Sequence, residues 1–293
     1  MTIDKQGAAE GSPLFGVKVI RTIATQLPGE TAAFDAQVLL AHITGRNRAW
    51  LLSHPESTLT VQQELMLQRA IQQLQDGLPL PYVLGHWEFF GLDFLISPNV
   101  LIPRPETELL VEAVLTQVRT NPQTHYRILD IGTGSGIIPI SLAVHIPQAE
   151  LVATDISSAA LSIAKRNAER QAVNERIQFL EADLLPDDLN LQGFDIICAN
   201  LPYIPTDTLL TLEVYGKEPT LALDGGADGL DLIRKLLNKL SEARLENCMV
   251  LLEIEKRQGP AIRALIQDVF PRAVNTRVQR DLSGFDRLAI IYL

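Results

Sequence analysis

Apolar positions from residue 15 to 75 recur every three or four residues, the spacing of one face of an α-helix. Val61, Leu65, Leu67, Ile71 and Leu74 carry this spacing in one segment. Thr31 with Asp35, then Val38 to Ile43 with a stop near Gly45, carries it in another. The pattern predicts a small bundle of short helices. Residues 1–12 are small and polar and are expected to fray. Gly77-Leu78-Pro79-Leu80-Pro81 breaks the rhythm and marks a boundary. Between Tyr82 and Leu101 the chain turns aromatic around Gly91, with Trp87, Phe89, Phe90, Phe94 and Ile96. This predicts a β-hairpin connector. Pro103-Arg104-Pro105 ends it, and a helix is predicted over 107–118.

From Arg127 the rhythm changes to alternating strand and helix. Strands are predicted at 127–131, 151–154, 177–180, 194–199 and 249–254. Helices are predicted at 137–145, 158–171, 229–240 and 259–269. Residues 274–279 and 287–292 form a closing antiparallel pair across Ser283-Gly284. This order implies an α/β fold with a mostly parallel sheet covered on both faces. The expected organisation is a helical domain over 1–80, a hairpin connector over 81–102 and an α/β domain over 103–293.

Composition narrows the class. The chain has 293 residues and a net charge of −10. Residues 1–85 are nearly neutral at −1, so the acid lies in the α/β part at −9. Nucleic acid is held mainly by neutralising phosphates, and a field of this sign opposes that. No apolar run is long enough to span a bilayer, and Asp4 and Glu10 stand where an export signal would be apolar. Two cysteines, Cys198 and Cys248, build neither a disulfide framework nor a thiolate zinc site. A cytoplasmic, non-membrane protein without metal is expected.

The sharpest motif is Asp130-Ile131-Gly132-Thr133-Gly134-Ser135-Gly136, between a predicted strand and a predicted helix. A dinucleotide loop is spaced G-x-G-x-x-G, and a P-loop ends in Lys and Ser or Thr; neither is present. Asp155 ends the next strand, 19 residues after Gly136. An acid there hydrogen-bonds ribose hydroxyls. The loop therefore suits a ligand with a ribose and no phosphate on the helix N-terminus, conditions that S-adenosyl-L-methionine meets.

Asn200-Leu201-Pro202-Tyr203 leaves the strand at 194–199, so it falls beside the glycine loop at the carboxyl ends of the strands. Asn and Pro also suit a plain turn. Chemically, an Asn oxygen and a backbone carbonyl can each accept a hydrogen bond from one planar NH2 group. That orients the nitrogen toward a methyl sulfonium, while Tyr203 stacks on or walls the group. Alignment of this kind removes about 7–11 kcal/mol of barrier in favourable cases.

These motifs together resemble the protein-glutamine N5-methyltransferases of peptide chain release factors, the HemK/PrmC family. The likeness runs through Leu39-Leu40-Ala41-His42, Arg48 to Leu52, Tyr82 to Gly85, Glu88 to Leu92 and Leu101-Ile102-Pro103-Arg104-Pro105-Glu106-Thr107-Glu108. It continues through Glu218-Pro219, Leu252-Glu253-Ile254 and Asp281 to Arg287. The resemblance implies a Rossmann-like class I methyltransferase domain behind a helical substrate-recognition domain. Gly132, Thr133, Gly134, Ser135 and Gly136 would wrap the methionine part of S-adenosylmethionine. Asp155 would take the ribose, and Asp183 and Leu184 would lie near the adenine. Asn200 would touch cofactor and substrate. Asn200, Leu201, Pro202 and Tyr203 would bind the glutamine amide of a Gly-Gly-Gln tip, with Asn200, Pro202 and Tyr203 the catalytic set. The release factor is the implied partner and a monomer the expected state. Leu201 replaces a proline usual in the family, and Glu255 a common glycine. Glu106 and Glu108 suit a helix start, where carboxylates complement the dipole, or a loop over the cofactor. Two other functions stay open: an amino methyltransferase acting on DNA or RNA bases, and a cofactor-binding protein without activity.

Overall fold

The computed structural model describes residues 17–273 and 275–293, with the side chains of 17–19 and 274 outside the description. The expected fraying of residues 1–12 lies outside the described residues. The chain divides into two compact units between Gly85 and His86.

The first unit is helical. Its elements are α1 (Val17–Ala24), α2 (Ala32–Thr44), α3 (Arg48–Ser53), α4 (Val61–Gln75) and α5 (Leu80–Leu84). α2 stops at Gly45 in the left-handed conformation, φ 64°, which only glycine adopts at no steric cost. Thr60 and Gln63 cap α4 reciprocally, satisfying amide groups that have no partner inside the helix. Leu39, Leu40, Leu51, Leu67, Ile71 and Leu74 form the buried stripe. Val61 and Leu65, expected in that stripe, are on the exposed face. Leu67, Ala70, Ile71 and Leu74 already complete the 3.6-residue stripe, and Val61 and Leu65 lie off it. Tyr82 to Leu84, expected at the start of the hairpin, belong to α5, where prolines at the first turn favour a helix start.

In the second unit the hairpin is confined to β1 (His86–Phe89) and β2 (Leu92–Leu95), joined by Phe90 and Gly91. Both turn residues have positive φ, 52° and 73°, matching the twist that two-residue hairpin loops require. A 3₁₀ turn at Pro105–Thr107 leads into α6 (Glu108–Thr120).

Then come β3 (Tyr126–Ile131), α7 (Ile137–His145), β4 (Ala149–Asp155), α8 (Ser158–Arg170) and β5 (Ile177–Glu181). β6 (Ile196–Ala199) follows, with α9 (Thr206–Leu209), α10 (Asp231–Glu242) and β7 (Met249–Glu253). α11 (Gly259–Val269), β8 (Asn275–Arg280) and β9 (Asp286–Tyr292) close the chain. Among the described residues the large sheet has the order β5-β4-β3-β6-β7-β9-β8. β5, β4, β3, β6 and β7 run parallel, and β9 is antiparallel to both its neighbours. The chain steps outward from β3 through β4 to β5, then returns to the other side of β3 as β6. The crevice outside the carboxyl ends of β3 and β6 is therefore the topological switch point, where open α/β sheets bind ligands. Helices pack a continuous core against the sheet, centred on Leu129, Ile131, Ile197, Leu236, Leu237, Val250, Leu252 and Ile262.

Candidate active site

Register puts the two motifs side by side. Ile131 pairs with Ala199, and Ala199 pairs with Leu252. One residue further on, Gly132, Asn200 and Glu253 stand in a row at the ends of β3, β6 and β7.

The glycine loop is folded by backbone bonds. The Gly132 and Thr133 amides donate to the Thr154 carbonyl, each at 2.9 Å, and the Gly136 amide donates to the Thr133 carbonyl at 2.9 Å. Gly132 and Gly136 both have positive φ, 74° and 82°. A Cβ on Gly132 would lie 2.9 Å from Leu201 Cδ2, and one on Gly136 2.8 Å from Ile140 Cδ1. These positions need glycine for conformation and for space. A Cβ on Gly134 would instead meet nothing within 4 Å: its bare backbone faces open space.

Asp155 ties the loop to β4. Its carboxylate accepts from the Gly134 amide and the Ser157 amide, each at 2.8 Å. Burial raises its pKa, while the Ser157 and Gly134 amides hold it down. Leu184 is left-handed at φ 66°, an uncommon conformation for a side chain of its size. The Thr154 hydroxyl holds it there, donating to the Leu184 carbonyl at 2.6 Å. Asp183 pairs with Lys235 Nζ at 2.5 Å.

On the other side, Asn200 Nδ2 donates to Thr107 Oγ1 at 3.1 Å. The Tyr203 hydroxyl donates to Glu253 Oε1 at 3.2 Å. Burial, then the Glu253 charge, raises the Tyr203 pKa, so the phenol stays protonated. Leu201 is buried, its side chain wedged against Gly132. Glu255, at a position where the family commonly has glycine, accepts from the Arg257 amide at 2.7 Å and donates its own amide to Gln258 Oε1 at 2.9 Å. Buried Gln258 then donates to the Tyr203 carbonyl and the Gly229 carbonyl, each at 3.1 Å. The Glu255 side chain thus braces the turn at Arg257, while its backbone amide, which any residue but proline supplies, holds Gln258 and through it the Tyr203 backbone.

A cavity of about 300 Å³ runs along this row of strand ends. Gly132 to Ser135, Asp155, Asp183, Leu184, and Asn200 to Pro202 all line it. Residues 98–104 and Pro219, Leu221 and Ala222 form its outer wall. Glu218 clamps that wall, accepting from the Ile102 amide at 3.1 Å and from the Arg104 guanidinium. Tyr203 is not among the lining residues and stands behind Pro202.

The lining fits S-adenosylmethionine on three counts. Among the described residues Arg104 is the one cation in it and is already paired with Glu218, so its charge is spent before a phosphate could use it. Asp155, at the end of β4, lines the cavity with a carboxylate where ribose hydroxyls are held in such folds. Beneath the loop, both Asp130 carboxyl oxygens and the Thr133 hydroxyl are buried without a hydrogen-bond partner, and such groups in a native fold call for an explanation. Burial pushes the Asp130 pKa up to about 7.

Sequence reasoning reads Thr107 only within Glu106-Thr107-Glu108, as a helix start or a loop over the cofactor, and misses Glu253, Glu218 and Gln258 as parts of this site. Glu218 and Glu253 stand inside family-like motifs, but nothing in their spacing joins them to Arg104 or Tyr203. Cys198 is fully buried within β6 with its thiol pKa raised by burial, which suits packing and not nucleophilic attack. Among the described residues no group of acidic, His or Cys side chains could hold a metal ion.

Known proteins place the chain. The profile of the PrmC N-terminal domain family matches residues 19–85, and that of ribosomal protein L11 methyltransferase (PrmA) matches residues 105–211. A release factor glutamine methyltransferase of Moorella thermoacetica is 41% identical over 264 residues, 90% of this chain and 92% of its own length. The Bordetella pertussis protein of the same name is 37% identical, covering 88% of this chain and 94% of its own. Among solved structures, the N-terminal domain of human METTL16 in complex with SAH superimposes with a TM-score of 0.51 at 14% identity. It covers 91% of this chain and 98% of that one, and supports the fold alone. This chain belongs to the release factor glutamine methyltransferase family.

Proposed function

We propose that the chain transfers the methyl group of S-adenosylmethionine to the side-chain amide nitrogen of the glutamine in the Gly-Gly-Gln tip of peptide chain release factors. The observation that carries this reading is the shared cavity. The Gly132–Ser135 and Asp155 rim and the Asn200–Pro202 rim open into one space, so a nucleoside sulfonium on the first would meet a planar amide on the second.

When bound, the cofactor supplies an electrophilic methyl on a positively charged sulfur. The chain's own residues supply position. The glycine-loop backbone would hold the methionine part and Asp155 the ribose, and Asp183 and Leu184 would border the base. Asn200 Oδ1 and the Leu201 carbonyl accept the two N–H groups of the glutamine amide. Pro202 keeps Leu201 extended, and Tyr203 backs the loop. The nitrogen lone pair then faces the methyl carbon. Transfer would move the methyl from sulfur to this nitrogen, with the S–C electron pair staying on sulfur and the displaced amide proton passing to solvent water. In-line alignment rather than a strong base is the main source of rate.

The relatives are named for this activity, and the acidic α/β unit opposes binding to nucleic acid. The helical unit would grip the release factor away from the chemistry, and a single chain in the cytoplasm suffices. No helix among the described residues is long and apolar enough to cross a membrane. The test is tritiated-methyl transfer from S-adenosylmethionine to a purified release factor, with a Gln→Ala variant of its tip and duplex DNA as controls. Label on the factor that disappears in the variant is expected. Label on the DNA, or none on the factor despite cofactor binding, would overturn the reading.

A further inference from the structure

Glu253, the last residue of β7, is 2% exposed. It is not among the residues lining the cavity, yet it backs the acceptor side through Tyr203 and Thr107. The Tyr203 hydroxyl donates to its Oε1, while its Oε2 has no hydrogen-bond partner. The Thr107 hydroxyl lies beside the same carboxyl and draws its pKa down.

Thr107 links this carboxyl to the acceptor rim. It is 1% exposed, and its oxygen accepts from Asn200 Nδ2. A hydroxyl that accepts still has one proton to give, and a buried donor left without a partner costs free energy. The acceptor beside it is the Glu253 carboxyl. A carboxylate can only accept: Oε1 takes the Tyr203 proton, and Oε2, which has no other partner, is the acceptor left for the Thr107 proton. The Thr107 lone pair is then turned to Asn200. Only the NH2 end of the Asn200 amide can face that lone pair, and Oδ1 is left to face the cavity.

We propose that Glu253 is a positioning residue that sets the polarity of the acceptor rim, fixing the Asn200 amide through Thr107 and holding Tyr203 directly. The inference rests on the glutamine-methyltransferase reading and names a further residue of that same site. If a donor replaced the carboxylate, Thr107 would be free to donate to Asn200 Oδ1. Asn200 would then present NH2 to the substrate's NH2, and two donors do not bind.

Ionisation gives the device a signature. Burial raises the Glu253 pKa to about 7, with Glu106 adding to the rise and Thr107, Tyr203 and Arg287 opposing it. These groups come from the 3₁₀ turn, the loop after β6, and β9. Protonation below that value turns one carboxyl oxygen into a donor, so the rate should fall as pH drops through it.

The experiment is release-factor methylation at saturating S-adenosylmethionine, so that ionisations affecting cofactor affinity drop out. Glu253→Gln keeps the shape and removes the obligate acceptor. It should lower kcat about 100-fold, the scale of a reacting group misplaced by an ångström, and flatten the acidic limb of the pH profile. Cofactor affinity by calorimetry should not change. Thr107→Val should lower kcat similarly and Thr107→Ser should restore it, a pair that can be read even if Glu253→Gln folds poorly. Wild-type kcat in Glu253→Gln, or an unchanged acidic limb, would overturn the inference while leaving the methyltransferase reading intact. Equal rates in the Val and Ser variants would also overturn it. A wild-type enzyme that does not label the release factor would overturn both.

Discussion

The two rims of the cavity each have a buried carboxyl group behind them, and the two are solved differently. Asp130, on β3 under the glycine loop, has neither oxygen hydrogen-bonded. Glu253, behind the Asn200 rim, holds the Tyr203 hydroxyl and lies against Thr107. Burial pushes both up to about 7. The cofactor rim is made mostly of loop backbone tied down by the Asp155 carboxylate, with Asp130 buried beneath it outside the cavity lining. The acceptor rim is made of side chains that the protein has already ordered among themselves. A cofactor that is always the same molecule can complete its own site. A substrate amide carried in by another protein needs a rim that is correct before it arrives.

The most severe break of this contrast is Asn200→Ala. It removes the acceptor that faces the substrate and leaves the glycine loop intact. Methyl transfer should fall about 10²–10³-fold, the cost of losing one preorganised hydrogen-bonding group, with cofactor affinity by calorimetry little changed. A parallel loss of affinity would mean that the two rims are not separable.

Asp130→Asn probes the other carboxyl, and here the sign matters. In the unfolded chain Asp130 releases its proton near 3.8, while in the fold it holds it to about 7. The native state binds the extra proton, so the group's contribution to stability is present at low pH and is lost as pH rises through about 7. Between about pH 5 and about pH 8 the wild type should lose roughly 2–3 kcal/mol more stability than Asp130→Asn, read by urea unfolding of the cofactor-free protein. Glu253 titrates the same way in both proteins and cancels. Identical pH slopes would show that the carboxyl is not strained by burial.

Much of this arrangement is legible in the order of residues along the chain. The helical pattern gives Ile137–His145 and Gly259–Val269 to the residue, because one begins directly after Gly136 and the other at Gly259. Buried parallel strands read as continuous apolar runs, so the pattern locates β3 and β7 within a residue. For β6 it starts the strand at Phe194, but Phe194 is buried ahead of the strand with Arg127 over its ring, and pairing starts at Ile196. What escapes the pattern is long-range. Thr107 meets Asn200 across 93 residues, and Tyr203 meets Glu253 across 50. No periodicity in either segment encodes those distances. Thr107 reads as a helix-start residue and Glu253 as one letter in a strand. Their roles come from which strand ends the sheet order makes adjacent. Local spacing reveals the backbone-built rim in its glycines, whereas only the fold reveals the side-chain-built rim.

Asp155→Ala gives the smallest effect and sharpens the contrast most. Asp155 is the side chain that the cofactor rim uses to order itself, since its two oxygens hold the Gly134 and Ser157 amides. Its loss takes away any bond to the ribose and also leaves the Gly134 amide without its acceptor. Cofactor affinity should fall by about 1.5–3 kcal/mol, the range for hydrogen bonds to a charged group, with kcat at saturating cofactor close to wild type. Calorimetry and saturating-cofactor kinetics on one preparation separate the two. A loss in kcat at saturation would mean that Asp155 also aims the methyl group, making the glycine-loop rim as preorganised for chemistry as the Asn200 rim. Unchanged affinity would remove Asp155 from the site and leave the loop's backbone to hold the nucleoside alone.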